Sequence, residues 1–184
     1  MNLTNVRLNL VLCLLCLLVL SCSPVRVLDT KAEEDFKLSN YRTFGFFDLE
    51  TSGDTLQQYI GQLDFLKQEI AKQLEQRGLQ RTDQNPDLKI NLGIVVAEEV
   101  QTRQTNILTD PPYYMGQRRY TWKTEEVVVD RYKKGTLSVH LVDNAQNKLV
   151  WQGAAEGVIP DDNTSKLQER IVKGVQKLME QIPQ

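Results

Sequence analysis

Cys22 is the residue best placed for chemistry. It closes an unbroken apolar run, Val11 to Leu20, and a thiolate is the side chain most readily alkylated. The other two cysteines, Cys13 and Cys16, lie inside that run. Other candidates are weaker. His140 is the only histidine, so a site built on paired histidines is excluded. Acid pairs occur at Glu98-Glu99, Glu125-Glu126 and Asp161-Asp162. Two carboxylates facing each other about 5–10 Å apart can hydrolyse glycosides, but neighbours along a strand point to opposite faces. No serine sits in a Gly-x-Ser-x-Gly elbow, and no glycine-rich phosphate loop follows a strand. We expect no catalytic residue, no metal ligand set and no cofactor. The stretch with binding character is Tyr113 to Lys123, YYMGQRRYTWK. It mixes Tyr113, Tyr114, Tyr120 and Trp122 with Arg118 and Arg119, the residue types favoured at interface hot spots. The same aromatics would equally serve as ordinary strand residues folded back on a sheet.

The setting of Cys22 supplies its chemistry. Arg7 makes a weakly basic start, and ten apolar residues follow. Ten is too few to span a bilayer and suits a signal peptide. Val19-Leu20-Ser21-Cys22 resembles the lipobox of bacterial lipoproteins. The resemblance implies cleavage between Ser21 and Cys22 and a diacylglyceryl group on the thiol. It also implies a further acyl chain on the new N-terminus. Residues 1–21 would be the signal peptide, 22–24 a lipidated tether and 25–184 a single folded domain. Arg7 is the only charge in 1–21, so 21 Lys+Arg face 24 Asp+Glu in the remainder, a net charge of −3. That gives no electrostatic case for nucleic acid. With the signal removed and Cys22 blocked, no free thiol or disulfide remains.

The elements that carry these residues follow from periodicity. Val25–Asp29 reads as a short strand, and Tyr41–Phe44 with Phe46-Phe47 as an aromatic strand ending at Asp48. Asp54 and Gln57 match a loose capping box. Ile60, Leu63, Leu66, Ile70 and Leu74 give a helix face, ended by Gly78 with Leu79 placed for a Schellman contact. Leu88 to Val96 alternates as a strand, with residues 98–106 continuing it. Residues 110–119 form a loop, Tyr120–Tyr132 a strand, and Lys133-Lys134-Gly135 a tight turn. Leu137, Val139 and Leu141 alternate, residues 143–147 turn, and Leu149, Trp151, Gly153 and Ala155 alternate in the last strand. Asp161-Asp162-Asn163 leads into a helix with Leu167, Ile171, Val175, Leu178 and Ile182 on one face, ended by Pro183. The order β-β-α-β-β-β-β-α predicts an α+β fold, an antiparallel β-meander with two amphipathic helices on one face. His140 falls on the less buried strand face, and Trp151 in the core or at the helix–sheet seam. Gly93, Gly153 and Ala155 permit close approach by a neighbour, and Gly174 a helix packing contact.

Three blocks in this chain resemble the family known as lipoprotein domain of unknown function 4136. They are DFKLSNYRTF at 35–44, GTLSVHLVDNAQNKLVWQGAAEGVI at 135–159, and the terminal QIP at 181–183. The spacing between Phe36 and Tyr41 is longer here than the family pattern, Asp-Phe-x-x-Tyr-x-Thr-Phe/Tyr. The late Gly-Thr-Leu, Leu-Val-Asp and Leu-Val-Trp-x-Gly elements all match. The resemblance implies a fold and an envelope location, and no reaction.

The expectation is a non-enzymatic, membrane-anchored binding or structural module. It would contact an envelope protein or cell-wall glycan through the Tyr113–Lys123 loop. Alternatives are an envelope hydrolase with carboxylates gathered by the fold, and a carrier of a lipid or small ligand. Ser23 stands where an aspartate favours inner-membrane retention in lipoproteins, so the periplasmic face of the outer membrane is expected. A strand starting near Val25 would leave about three residues of tether, a reach of roughly 10 Å.

Overall fold

The computed structural model describes residues 25–47, 60–106, 110, 124–161 and 164–184. The capping box at Asp54 and the residues Asp48, Asp162 and Asn163 lie outside them. The elements are β1 (Val25–Ala32), a 3₁₀ turn (Leu38–Asn40), β2 (Thr43–Phe46), α1 (Ile60–Glu75), β3 (Gln80–Arg81), β4 (Leu88–Gln104), β5 (Glu126–Asp143), β6 (Lys148–Ile159) and α2 (Thr164–Met179). They form a six-stranded sheet in the order β1-β6-β5-β4-β2-β3. The fold class is α+β as expected, with both helices on one face of the sheet.

The four strands β4, β5, β6 and β1 pair antiparallel. The β2 edge departs from a pure meander, because β2 pairs parallel with both β4 and β3. Strand β3 is only two residues long, too short for a periodicity to reveal it. It exists because α1 returns the chain beside β2. Gly78 sits at φ +93°, Leu79 N–H donates to the Leu74 carbonyl at 3.2 Å, and Gly78 N–H to Glu75 at 2.9 Å. That is the expected Schellman end, and it aims Gln80 at the Arg42 carbonyl.

The expected turn at Lys133–Gly135 is not a turn. Strand β5 runs through it for 18 residues. Gly135 pairs with Val96 on one side and Gly157 on the other, so a ladder on both edges overrides the local turn preference. The expected strand from Tyr120 begins, among the described residues, at Glu126. The eight-letter element order is therefore met by two offsetting differences: one strand unforeseen, and two expected strands that are one. The polar continuation of β4 holds as far as Gln104.

Three boundaries and one pairing also shift. Strand β1 runs past the expected Asp29 to Ala32. Strand β2 ends at Phe46, one residue short of Phe47. Helix α2 ends at Met179, ahead of Pro183, and Ile182 is buried in the irregular tail. The pairing of β5 with β6 slips between Leu141 and Val142, and this bulge turns Val150 inward and leaves Leu149 exposed.

The core lies between the helices and the inner sheet face. Leu88, Ile90, Leu92, Val139, Leu141 and Trp151 form the floor, and Leu66, Ile70, Leu74, Val175 and Leu178 cover it. Trp151 is 1% exposed, as expected of a core residue. It lies over Gly153: a Cβ there would meet the indole at 2.6 Å and Leu178 at 2.9 Å. The Trp-x-Gly spacing is thus a packing device, since residues two apart share a face. A Cβ on Gly174 would touch Val25 at 3.2 Å, so this glycine seats α2 against β1. Gly93 is on the outer face and meets only Ser138, at ordinary contact distance.

Candidate functional site

Cys22, Ser21 and the loop residues Tyr113, Tyr114, Arg118, Arg119, Tyr120 and Trp122 lie outside the described residues. The structure does describe what carries them. Strand β1 begins at Val25, so the N-terminal segment enters at the end of β1 that pairs with Gly157. Strands β4 and β5 leave that same end of the sheet. The last residue pair joining β5 to β6 is Lys133–Ile159, whereas β4 and β5 stay paired to Gln104–Glu126. Thr105 and Glu125 extend the pairing, with N–H bonds of 2.8 and 2.9 Å. The result is a two-stranded arm reaching roughly 20 Å past the last rung shared with β6, at about 3.4 Å per residue. The 107–123 segment is attached to its far end. Arg103 makes a two-pronged bond to Asp110 there, 2.6 Å on each oxygen.

The arm is sparsely packed. Val100, Val128 and Val129 are each about half exposed, and β5 has one neighbour instead of two. Its base carries a charge ladder on the outer sheet face. Lys134 pairs with Glu99 on β4 and with Glu156 on β6, and Arg26 on β1 pairs with Glu156 at 3.3 Å. Tyr132 donates to Glu99 at 3.0 Å. Hydrogen bonds from Lys134 and Tyr132 hold the Glu99 carboxyl below the usual range, and the bond to Glu99 raises both Lys134 and Tyr132. Glu98 and Glu99 point to opposite faces, as strand geometry requires. The carboxylates that do converge, Glu99 and Glu156, come from different strands and share one ammonium.

His140 lies on the outer face between Asn91 and Gln152, half-buried. Among the described residues no group of His, Cys, Asp and Glu is arranged to hold a metal ion.

A second feature was not foreseen. An apolar pocket of about 140 Å³ opens between α1, α2 and the inner sheet face, at the arm end. Leu63 and Leu66 of α1, Ile171 and Val175 of α2, and Leu137 and Ile159 of the sheet line it. Its floor is low because Gly135 and Gly157 face each other across β5 and β6, with Ala155 beside them. Each small residue was visible in the sequence, but only the register sets the two glycines opposite one another.

The residues of the 35–44 block and of Leu-Val-Asp gather at the opposite end, whereas Gly135-Thr136-Leu137 line the pocket. Tyr41 donates to Asp143 at 3.1 Å across 102 residues of chain, and stacks at a tilt on Phe36, 5.8 Å between ring centres. Burial, and then the Asp143 carboxylate, push the Tyr41 hydroxyl up to about 12. Asp143 also accepts the Gln146 N–H at 2.9 Å, closing the 144–147 turn. Asp87 accepts the N–H groups of Arg42 and Thr43 at 2.8 and 2.9 Å, which lowers its pKa and pins the start of β2. The extra residues between Phe36 and Tyr41 form the 3₁₀ turn. It buries Leu38 and sends the Leu38 N–H to the Pro183 carbonyl at 3.0 Å, tying the first motif block to the last. These contacts close a fold; none of them opens a cleft.

The model of the family "Domain of unknown function (DUF4136)" matches residues 28–184. The chain belongs to this family. No curated protein matches it. Among solved structures, it is similar to a PDZ domain protein from Parabacteroides distasonis, at 15% identity and a TM-score of 0.48. That match covers 85% of this chain and 35% of the other, so the chain spans about a third of that protein's length. It is also similar to the PelC dodecamer from Paraburkholderia phytofirmans, at 12% identity and a TM-score of 0.43, covering 87% of this chain and 99% of that one. A minor lipoprotein from Acinetobacter baumannii matches at 14% identity and a TM-score of 0.36, covering 77% and 92%. At such scores these likenesses carry no argument about function. Among the described residues no helix is long and apolar enough to cross a membrane.

Proposed function

We propose that this DUF4136 protein is a lipid-anchored protein of the bacterial envelope, held at Cys22 on the periplasmic face of the outer membrane. It works there as a non-enzymatic binding or structural module, contacting a protein partner close to the membrane through the β4–β5 arm and the Tyr113–Lys123 loop. The observation that carries this reading is that the N-terminus and the arm leave the same end of the sheet. A tether of about 10 Å holds that end near the bilayer. The arm, roughly twice as long, then lies in the membrane-proximal layer. Residues 98–104 and 124–134 hold five acidic and four basic side chains, so the arm lacks the net positive charge that an anionic lipid surface attracts. Exposed valines and mixed charge suit a protein partner, and cell-wall glycan is the competing outcome.

The test is crosslinking in whole cells of the intact protein, with and without Tyr113, Tyr114, Arg118 and Arg119 changed to Ala. Loss of one defined protein adduct supports the reading. An unchanged adduct pattern sinks the loop assignment. Cys22→Ala is expected to move the protein from the membrane fraction to the soluble one, and retention in the membrane would overturn the anchor.

A second reading, a carrier of a lipid or small ligand, is favoured by the apolar pocket. It predicts an apolar molecule co-purifying with the protein.

A further inference from the structure

We propose that the pocket between α1, α2 and the sheet holds part of one acyl chain borne by Cys22 of the same molecule. This rests on the lipid-anchor reading above and assigns the pocket its occupant.

The position of the chain start carries the argument. Val25 lines the pocket and is itself buried, with Gly174 of α2 pressed against it. Only Ser23 and Pro24 stand between it and Cys22, so the lipidated atom lies within roughly 10 Å of the pocket wall. An acyl chain starting there reaches the cavity without unfolding any element. The lining matches its chemistry: leucine, isoleucine and valine from both helices and β4 to β6, over a glycine and alanine floor. A cavity of about 150 Å³ with such a lining stays dry and accepts a benzene-sized molecule, so this one takes a section of about six carbons. The lipobox resemblance implies three acyl chains on Cys22. Sheltering one leaves two in the bilayer, and two chains still hold a protein stably. The consequence is a fixed geometry. The domain is locked to its anchor on the helix side instead of swinging on a free tether, which fixes where the arm points.

The test places the photo-reactive amino acid benzoylphenylalanine at Ile171 in one protein and at Leu167 in another. Both line the pocket and are only half-buried, so one position remains informative if the other disturbs folding. Gln168, exposed on the same helix, is the control. The full chain is irradiated in its own membrane, digested with trypsin and read by mass spectrometry. The expected product joins the acylated peptide Cys22–Arg26 to the peptide carrying position 167 or 171 of the same molecule, and is absent at Gln168. Adducts with a free phospholipid would make the pocket a carrier site and overturn the proposal. So would the absence of any lipid adduct at both positions while Cys22–Arg26 is acylated. A Cys22–Arg26 peptide found without lipid would overturn the anchor reading instead, and this inference with it.

Discussion

The two ends of the sheet are built by different rules. At one end Tyr41, Phe36, Asp143 and Asp87 are tied together by hydrogen bonds and a ring contact from three separate stretches of chain, beside the buried Trp151. At the other end β4 and β5 run on alone, with valines facing water and charged side chains paired at the surface. Most of the motif residues sit at the packed end and hold it together, while the Gly-Thr-Leu element at 135–137 lines the pocket at the other. The recognisable motifs therefore mark the fold. A free-standing two-stranded ribbon is only marginally stable, which is why a partner for the arm is part of the proposed function.

The sharpest way to break the packed end is Trp151→Ala. It empties the space over Gly153 and beside Leu178, at an expected cost of about 3–5 kcal/mol in urea unfolding. A cost below about 1 kcal/mol would mean the indole is not the keystone of that end.

Tyr41→Phe removes one hydrogen bond and keeps the ring, at an expected cost of about 1 kcal/mol. The pH dependence is more telling. The folded pKa, about 12, lies above the ordinary value of 10.0, so the folded state holds the proton after the unfolded state has lost it. The contribution is full below pH 10 and disappears between 10 and 12. Unfolding midpoints should fall over that window in the wild type, and by less in Tyr41→Phe.

Asp87→Ala frees two N–H groups at the start of β2, and water can reach them, so the loss is about 1 kcal/mol. The folded carboxyl titrates below its ordinary range. Its contribution is therefore present above about pH 4 and fades as pH falls through the folded value. Acid unfolding of the wild type and Asp87→Ala should converge there; curves that stay parallel would remove Asp87 as a clamp.

At the arm, Val128→Lys should change stability by no more than about 0.5 kcal/mol, because the side chain is already in water. If the arm is the contact surface, the same substitution abolishes the protein crosslink. A large stability loss would show that the arm packs on the body and would erase the contrast between the two ends.

Much of the packed end was legible in local patterns. The faces of α1 and α2, the Gly78-Leu79 helix end, the alternation of β4 and the burial of Trp151 all follow from side-chain period and one positive-φ glycine. The failures occurred where a neighbour overruled a local preference. Lys133-Lys134-Gly135 has turn composition, yet strands on both sides hold it extended. Leu149 has the spacing of an inward residue, yet the bulge turns it out. The pocket left no signal, because Gly135 and Gly157 are 22 positions apart and become a cavity floor only when β5 and β6 pair in register.

The sequence alone was enough for the element types, the apolar faces and the α+β class, since periodicity and caps act over a few residues. It also singled out the apolar run from Val11 to Leu20 and Cys22 just after it. The tertiary structure decided the parallel β2 edge, the unbroken β5, the bond between Tyr41 and Asp143, and the shared exit of N-terminus and arm. Those depend on which strands become neighbours and in what register, and contacts between residues a hundred positions apart leave no local period to read.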